Sequence, residues 1–228
     1  MLTDVEAQAL LLSLRVSLVA VACALPFALA AAMLLSRTRF PGKTLLDSAL
    51  HIPLVLPPVV VGYLLLMMLG TRAPVGAWLL HNLGIRFAFS WTGAALASGL
   101  ITFPFQLRAI RLSLGAIDSG LDQAAETLGA GPFDRFFHIL LPLALPGIVT
   151  GVITAFAASL GEFGAIITFV SNIPGETQTL PLAIYSAIQS PGGEAEAARL
   201  SLLSLSLALA GMILAELAER RTRAFVGQ

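Results

Sequence analysis

Five stretches of this chain are each long and apolar enough to cross a lipid bilayer, and that feature decides most of what it can fold into. A spanning helix needs about 20 predominantly apolar residues, and residues 16–35, 45–69, 89–107, 143–169 and 200–217 each meet the requirement. The second and fourth stretches are long, which predicts tilt or kinking. Composition points the same way: of 228 residues 57% are hydrophobic and 11% charged, with a mean hydropathy of +0.89. A soluble domain carries about 25% charged residues. So few polar side chains cannot cover a water-facing surface, which excludes a disordered chain, a disulfide-rich secreted fold and an ordinary soluble enzyme. The single Cys23 leaves no disulfide to form within one chain. The expected fold is therefore all-α, a polytopic transmembrane helix bundle of about five spans, with residues 1–228 forming one domain. The first stretch is not read as a signal peptide, because residues 1–8 carry Asp4 and Glu6 in place of a basic leader and further spans follow.

Thirteen Lys/Arg balance thirteen Asp/Glu, so the position of the charges is more informative than their sum. Five spans put Arg37, Arg39, Lys43, Arg108, Arg111, Arg135, Arg220, Arg221 and Arg223 on one side of the membrane. By the positive-inside rule that side is cytoplasmic. Arg15, Arg72, Arg86 and Arg199 fall on the other side with Asp4, Glu6, Glu176, Glu194 and Glu196. The N-terminus is then outside and the C-terminus cytoplasmic. Trp78, Trp91 and Tyr185 map to the outer interface, where aromatic residues anchor spans. Short helices within 70–88 or Leu180–Gln189 could be re-entrant and raise the span count to six.

The longest inside segment, 108–141, has internal order. Asp118 or Ser119 can cap a helix in which Leu121, Ala124, Ala125 and Leu128 recur at helical spacing. Gly129 supplies a C-terminal stop. Pro132 suits the first turn of a second helix carrying Phe133, Phe136, Phe137 and Leu140, which Pro142 is expected to end. By pattern alone this pair either rests on its own bundle at the interface or presents a docking surface to a soluble partner.

The residues of this segment are more specific. Gln123-Ala124-Ala125-Glu126-Thr127-Leu128-Gly129, nine residues, then Ile139-Leu140-Leu141-Pro142 resembles the EAA loop of ABC-importer permeases, about 118–142 here. Every fixed position of that pattern matches except the first, where Gln123 stands in place of Glu. Similarity extends to Ile52-Pro53-Leu54-Val55-Leu56-Pro57-Pro58-Val59-Val60-Val61-Gly62-Tyr63, to Ser159-Leu160-Gly161-Glu162-Phe163-Gly164-Ala165 and to Asn172-Ile173-Pro174-Gly175-Glu176-Thr177. These resemble the molybdate-transport permeases, the Gly-Glu-Phe-Gly element being shared with sulfate/thiosulfate permeases. The resemblance implies an inner-membrane permease of a bacterial binding-protein-dependent importer for molybdate, with sulfate/thiosulfate or tungstate as the nearest rivals. It implies a second permease copy, two cytoplasmic ATPase subunits that bind ATP-Mg, a periplasmic molybdate-binding protein and surrounding lipid, and no nucleic acid. Gln123, Ala124, Ala125, Glu126, Gly129, Ile139 and Pro142 would form the ATPase-coupling loop. A different class, an ATP-independent channel or carrier, would instead transport without an ATPase.

The chain itself is expected to carry no cofactor, no metal and no catalytic site. Gly42-Lys43-Thr44 copies the end of a phosphate-binding loop, but the pattern G-x-x-x-x-G-K-[ST] requires glycine where Arg37 stands. His51, His81 and His138 are scattered.

Three features of the spans mark pathway or gating candidates. Pro57 and Pro58, with Pro53, remove backbone donors in the second span, which is tolerated only inside protein or beside a wet cavity. Gly147, Gly151, Ala155 and Ser159 place small residues at every fourth position of the fourth span, a spacing that lets helices approach closely or forms a constriction. Glu162 is the one acidic residue well inside a span, and such a carboxylate faces the bundle or water. A bare negative charge repels an anionic cargo, which favours a structural or gating role.

Overall fold

The computed structural model describes residues 3–226, and the side chains of Arg220, Arg221 and Arg223 lie outside those described. Eleven α-helices and one π turn, with no strand among the described residues, build the chain. In order they are α1 Asp4–Arg37, α2 Lys43–Val55, α3 Pro58–Leu69, α4 Pro74–Leu83, α5 Trp91–Ala116, α6 Ser119–Thr127, α7 Pro132–Arg135, the π turn Phe136–Leu140, α8 Leu141–Leu160, α9 Gly164–Val170, α10 Leu180–Gln189 and α11 Glu194–Val226. Asp4–Arg37, Pro132–Leu160 and Glu194–Ile213 are each long and apolar enough to cross a membrane. Two bent pairs, α2 with α3 and α5 with the helix after it, bring the number to five by length and composition.

The expected second and fourth spans are not continuous. Residues 45–69 divide at Leu56-Pro57 into α2 and α3, whose axes meet at 110°. Successive prolines at 57 and 58 cannot donate within a helix, and each also pushes the residue before it out of the helical region. Residues 143–169 divide at Gly161-Glu162-Phe163 into α8 and α9. Between the long helices lie α4 and α10, the two regions where short helices were expected.

Pro142 does not end a helix. Residues Pro132–Leu160 run on without interruption through the π turn, and the Leu141 amide donates five residues back, to the Phe136 carbonyl. A proline clashes with the carbonyl four residues before it. The wide π turn lies immediately ahead of Pro142, where that clash would fall, so the helix is re-registered there and not broken. The helix expected to start at Pro132 is therefore the stalk of α8.

Helix α1 and α5 share the most extensive contact in the fold, followed by α5 with α8. One core cluster joins α1, α3, α5, α9 and α10 through Val16, Val61, Ile101, Ile166, Phe169 and Leu182. A second joins α1, α5 and α8 through Leu35, Leu107, Ile110, Leu114 and Ala144. Alanine and glycine recur at these seams because lipid offers no hydrophobic drive for association, and close backbone approach supplies van der Waals contact instead. Outward faces carry Leu11, Leu18, Phe27, Leu202 and Ile213, all exposed and apolar, as a lipid-facing helix requires.

Two of the long helices begin at side-chain caps. Thr3 and Glu6 form a reciprocal capping box at the start of α1, and Ser90 accepts from the Gly93 amide at the start of α5 (3.2 Å). Arg15 lies over the Trp91 ring, 3.8 Å from its centroid, and so ties the outer part of α1 to the first turn of α5.

Candidate functional site

The two chain breaks lie against each other. A Cβ added to Gly164, at the start of α9, would sit 2.9 Å from Pro58 Cβ and 3.3 Å from Val59 Cγ2. One added to Gly62 would sit 2.6 Å from the Ala165 carbonyl oxygen. Glycine at these positions is therefore what lets α3 and α9 touch backbone to backbone. The residues flanking both breaks are partly satisfied: the Val60 amide donates to the Pro57 carbonyl (2.9 Å), and the Ala165 amide donates to Glu162 Oε1 (2.8 Å). Glu162 is buried, whereas Pro57, Pro58 and Gly161 are exposed. The carboxylate thus caps the first turn of α9, where free amide donors favour a negative group.

The small-residue stripe of α8 faces α5. Gly147, Gly151, Ala155 and Ser159 are all buried. A Cβ at Gly147 would lie 2.3 Å from Ser113 Cβ, and one at Gly151 would lie 3.0 Å from Gln106 Cα. Ser159 shares a 2.6 Å hydrogen bond with Ser98 across the same seam. Gln106 in turn donates from Nε2 to the Val21 carbonyl (3.1 Å), which joins α5 to α1. The structure brings Pro57, Pro58 and Glu162 to one junction and places Gly151 and Ser159 on the α5–α8 seam.

At the end of α5 the chain turns into α6. Asp118 is its N-cap, accepting from the Gly120 amide at 2.8 Å. The C-terminus is a Schellman motif: the Gly129 amide donates to the Glu126 carbonyl and the Ala130 amide to the Ala125 carbonyl, both at 3.0 Å. Gly129 has φ +88°, a conformation that costs an L-residue about 1–2 kcal/mol. This geometry explains why the position after Glu126-Thr127-Leu128 is glycine.

Within α6 Gln123, Ala124 and Glu126 are exposed and Ala125 is half-buried. Leu121, Leu128, Phe133 and Phe137 are exposed, Leu128 to 89%. These four apolar residues therefore do not pack down on the chain's own bundle, whereas Leu140 of the same spacing is buried and Phe136 half-buried. Ile139 is half-buried in the π turn, and Pro142 is exposed one turn further along.

Charged groups fix α6 in place, and the sequence shows Arg37 and Arg135 only as positive charges on one side of the spans and Glu126 only as a motif residue. Arg135 Nη1 lies 2.8 Å from Glu126 Oε2 and 3.5 Å from Asp122 Oδ1. Arg37, at the end of α1, lies 3.7 Å from Asp122 Oδ2. Asp122 and Glu126 are one helical turn apart and so share a face, the only available signal of the network in the sequence. Through it α6 is linked both to α1 and to the stalk of α8. The other motifs take local roles: Gly42 starts α2 with φ +85°, and Lys43 donates to the Thr38 carbonyl (3.2 Å).

Residues 24–224 match the family described as "Binding-protein-dependent transport system inner membrane component". The chain is 58% identical over 227 residues to the molybdenum transport system permease protein ModB of Escherichia coli (strain K12), covering 100% of this chain and 99% of that one. It is 37% identical over 163 residues to the sulfate transport system permease protein CysT of the same organism, covering 72% and 58%. Among solved structures, a bacterial alginate ABC transporter in complex with an alginate pentasaccharide-bound periplasmic protein superposes with a TM-score of 0.77 at 18% identity, over 96% of this chain and 80% of that one. With a family match across nearly its whole length and a full-length relative at this identity, the chain belongs to the inner-membrane permease components of binding-protein-dependent transport systems.

Proposed function

We propose that this chain is the permease subunit of an importer that moves molybdate across the bacterial inner membrane, using ATP hydrolysed by separate subunits. The observation that carries the cargo is the full-length 58% identity to a molybdenum permease, against a shorter match at 37% to a sulfate permease. The observation that supports the mechanism is α6, capped at both ends, ion-paired to Arg37 of α1 and to Arg135 of the α8 stalk, with Leu121 and Leu128 left exposed.

In this reading two copies of the chain enclose the pathway. Two ATPase subunits with bound ATP-Mg dock on Gln123, Ala124, Ala125, Glu126 and Gly129, and a periplasmic binding protein delivers the anion at the outer loops, chiefly 171–199. The N-terminus is outside and the C-terminus cytoplasmic. Closure of the ATPase pair pushes α6, and the push reaches α8 through Arg135, the π turn with Ile139 and Pro142, and the stalk. A ligand shifts a conformational equilibrium only by binding its two states differently, so the link must be stiff, and the Schellman cap and ion pairs make it so. The junction at Pro57, Pro58 and Glu162 is the yielding part, because its backbone is already broken. Gly151 and Ser159 hold the α5–α8 seam. The chain supplies pathway and coupling and hydrolyses nothing itself.

The test is uptake into vesicles holding the chain with its ATPase and binding protein, using labelled molybdate, tungstate and sulfate. The expected result is accumulation that requires ATP and binding protein, with molybdate competed by tungstate and not by sulfate. Sulfate competition of equal strength overturns the cargo, and flux without the ATPase overturns the class.

A further inference from the structure

A polar cavity of about 400 Å³ lies at the end of the bundle that carries α6, lined by Asp47, Ser48 and His51 of α2 and by Arg108 and Arg111 of α5. Two other cavities, of about 490 Å³ each, are walled by apolar side chains such as Phe27 and Phe103 in one and Phe156 and Leu160 in the other. In the polar one, residues one turn apart on each helix face the same space: Asp47 with His51, and Arg108 with Arg111.

The charges are arranged unequally. Arg111 is ion-paired to Asp47, and His51 Nδ1 is turned onto the Asp47 carbonyl (2.8 Å) and its carboxylate (3.2 Å). Arg108 makes no ion pair among the described residues and is exposed, as is Ser48. Asp47 therefore offsets one guanidinium and holds it in place, leaving a net positive charge of one with the histidine neutral. A guanidinium presents a planar fork of donors matched to the oxygens of an oxyanion. The cavity and the junction lie at opposite ends of α2: Asp47 is near its start and Pro57 two residues beyond its end, with about 12 Å of helical rise from Asp47 to Val55.

We propose that this cavity is a weak binding site for a tetrahedral oxyanion, in which Arg108 and Ser48 contact the anion and Arg111, held by Asp47, supports the field. It rests on the oxyanion-importer reading above, and its occupant is the transported anion passing between the junction and the inner face. Conduction requires sites that attract the ion yet release it, and one unbalanced positive charge beside a carboxylate meets that condition. A lipid phosphate has the same chemistry, so the experiment separates the two sources.

Tungstate binding is measured by calorimetry on the permease–ATPase complex in nanodiscs, without the binding protein. The Arg108→Gln and Ser48→Ala variants are compared with wild type and with Arg72→Gln, an exposed arginine remote from the cavity. Copurification of the ATPase reports that each variant is folded. The expected result is at least tenfold weaker binding for Arg108→Gln, a smaller loss for Ser48→Ala, partial recovery for Arg108→Lys and no change for Arg72→Gln. Affinity is expected to be the same in phosphatidylcholine discs and in discs containing phosphatidylglycerol. The proposal is overturned if wild type binds no tungstate, if Arg108→Gln and Ser48→Ala bind as wild type does, or if phosphatidylglycerol displaces tungstate and so claims the cavity for a lipid headgroup. Should wild type still import molybdate with ATP in any of those cases, the function proposed above stands and only this site falls.

Discussion

Adding a single methyl group at Gly62 tests whether the contact between the two broken spans holds the fold together. In Gly62→Ala the new Cβ lies 2.6 Å from the Ala165 carbonyl oxygen and 2.9 Å from both Ala165 Cα and Thr168 Cβ. An ordinary contact begins near 3.4 Å, so α9 must retreat from α3 by about 0.8 Å. Two of the three obstructing atoms are backbone, so no rotamer change removes the clash. Overpacking of this kind costs about 1–3 kcal/mol, and alanine recovers about 1 kcal/mol of helix propensity over glycine. The net expectation is a destabilisation of up to about 2 kcal/mol. Gly211→Ala in α11 is the matched control, since its Cβ meets nothing within 4 Å and only the propensity gain remains. Equilibrium unfolding in mixed micelles should place the two variants on opposite sides of wild type. Uptake should fall in Gly62→Ala while the ATPase still copurifies, because α6, the proposed docking helix, is untouched. If both variants are equally stable, or Gly62→Ala is the more stable, the close approach of α3 and α9 is wrong.

Three further outcomes follow from the site. Arg135→Gln removes the group that faces both Asp122 and Glu126; ATP-driven uptake should fall about tenfold with ATPase still bound, and undiminished uptake refutes a stiffening role for the network. Gly129→Glu should uncouple or detach the ATPase, and Gly129→Ala should cost about 1–2 kcal/mol from φ +88° alone, whereas Gly131→Ala, at φ −69°, should be neutral; equal effects of the two alanine variants on ATPase copurification and stability would remove the Schellman explanation. Glu162→Gln keeps an oxygen to accept from the Ala165 amide and should retain assembly and at least part of transport, while Glu162→Ala should lose about 1 kcal/mol of cap; complete loss of uptake in the Gln variant, with normal membrane levels, would show that the charge itself is required.

Hydropathy alone locates the apolar runs, because length and the scarcity of charge are properties of consecutive residues. The break at Pro57-Pro58 is legible for the same reason, since proline acts where it stands. The break at Gly161–Phe163 is not, because residues 143–169 read as one apolar run and only the cap geometry of Glu162 shows where α8 stops. Pro142 misleads for a related reason: the π turn that accommodates it leaves no periodic signature in Phe136–Leu140. Helix α6 is legible because caps at Asp118 and Gly129 are local signals. Its anchoring to Arg37 and Arg135 is not, nor is the meeting of Arg108 and Arg111 with Asp47 and His51. Those pairs depend on how helices distant in sequence come to lie side by side.

One contact between the starts of α1 and α11 bears on how the chain is made. Glu6 is buried and ion-paired at 2.9 Å to Arg199, across 193 residues of chain. During synthesis Glu6 and its partner emerge about 10–40 s apart, at about 5–20 residues per second. Over that interval Thr3 satisfies the other carboxylate oxygen through its amide, at 2.8 Å, so the first turn of α1 can form before its distant partner exists. Helices α1 and α11 are then latched together only once Arg199 has been made, which makes the Glu6–Arg199 pair a late-forming tie between helices that enter the membrane far apart in time.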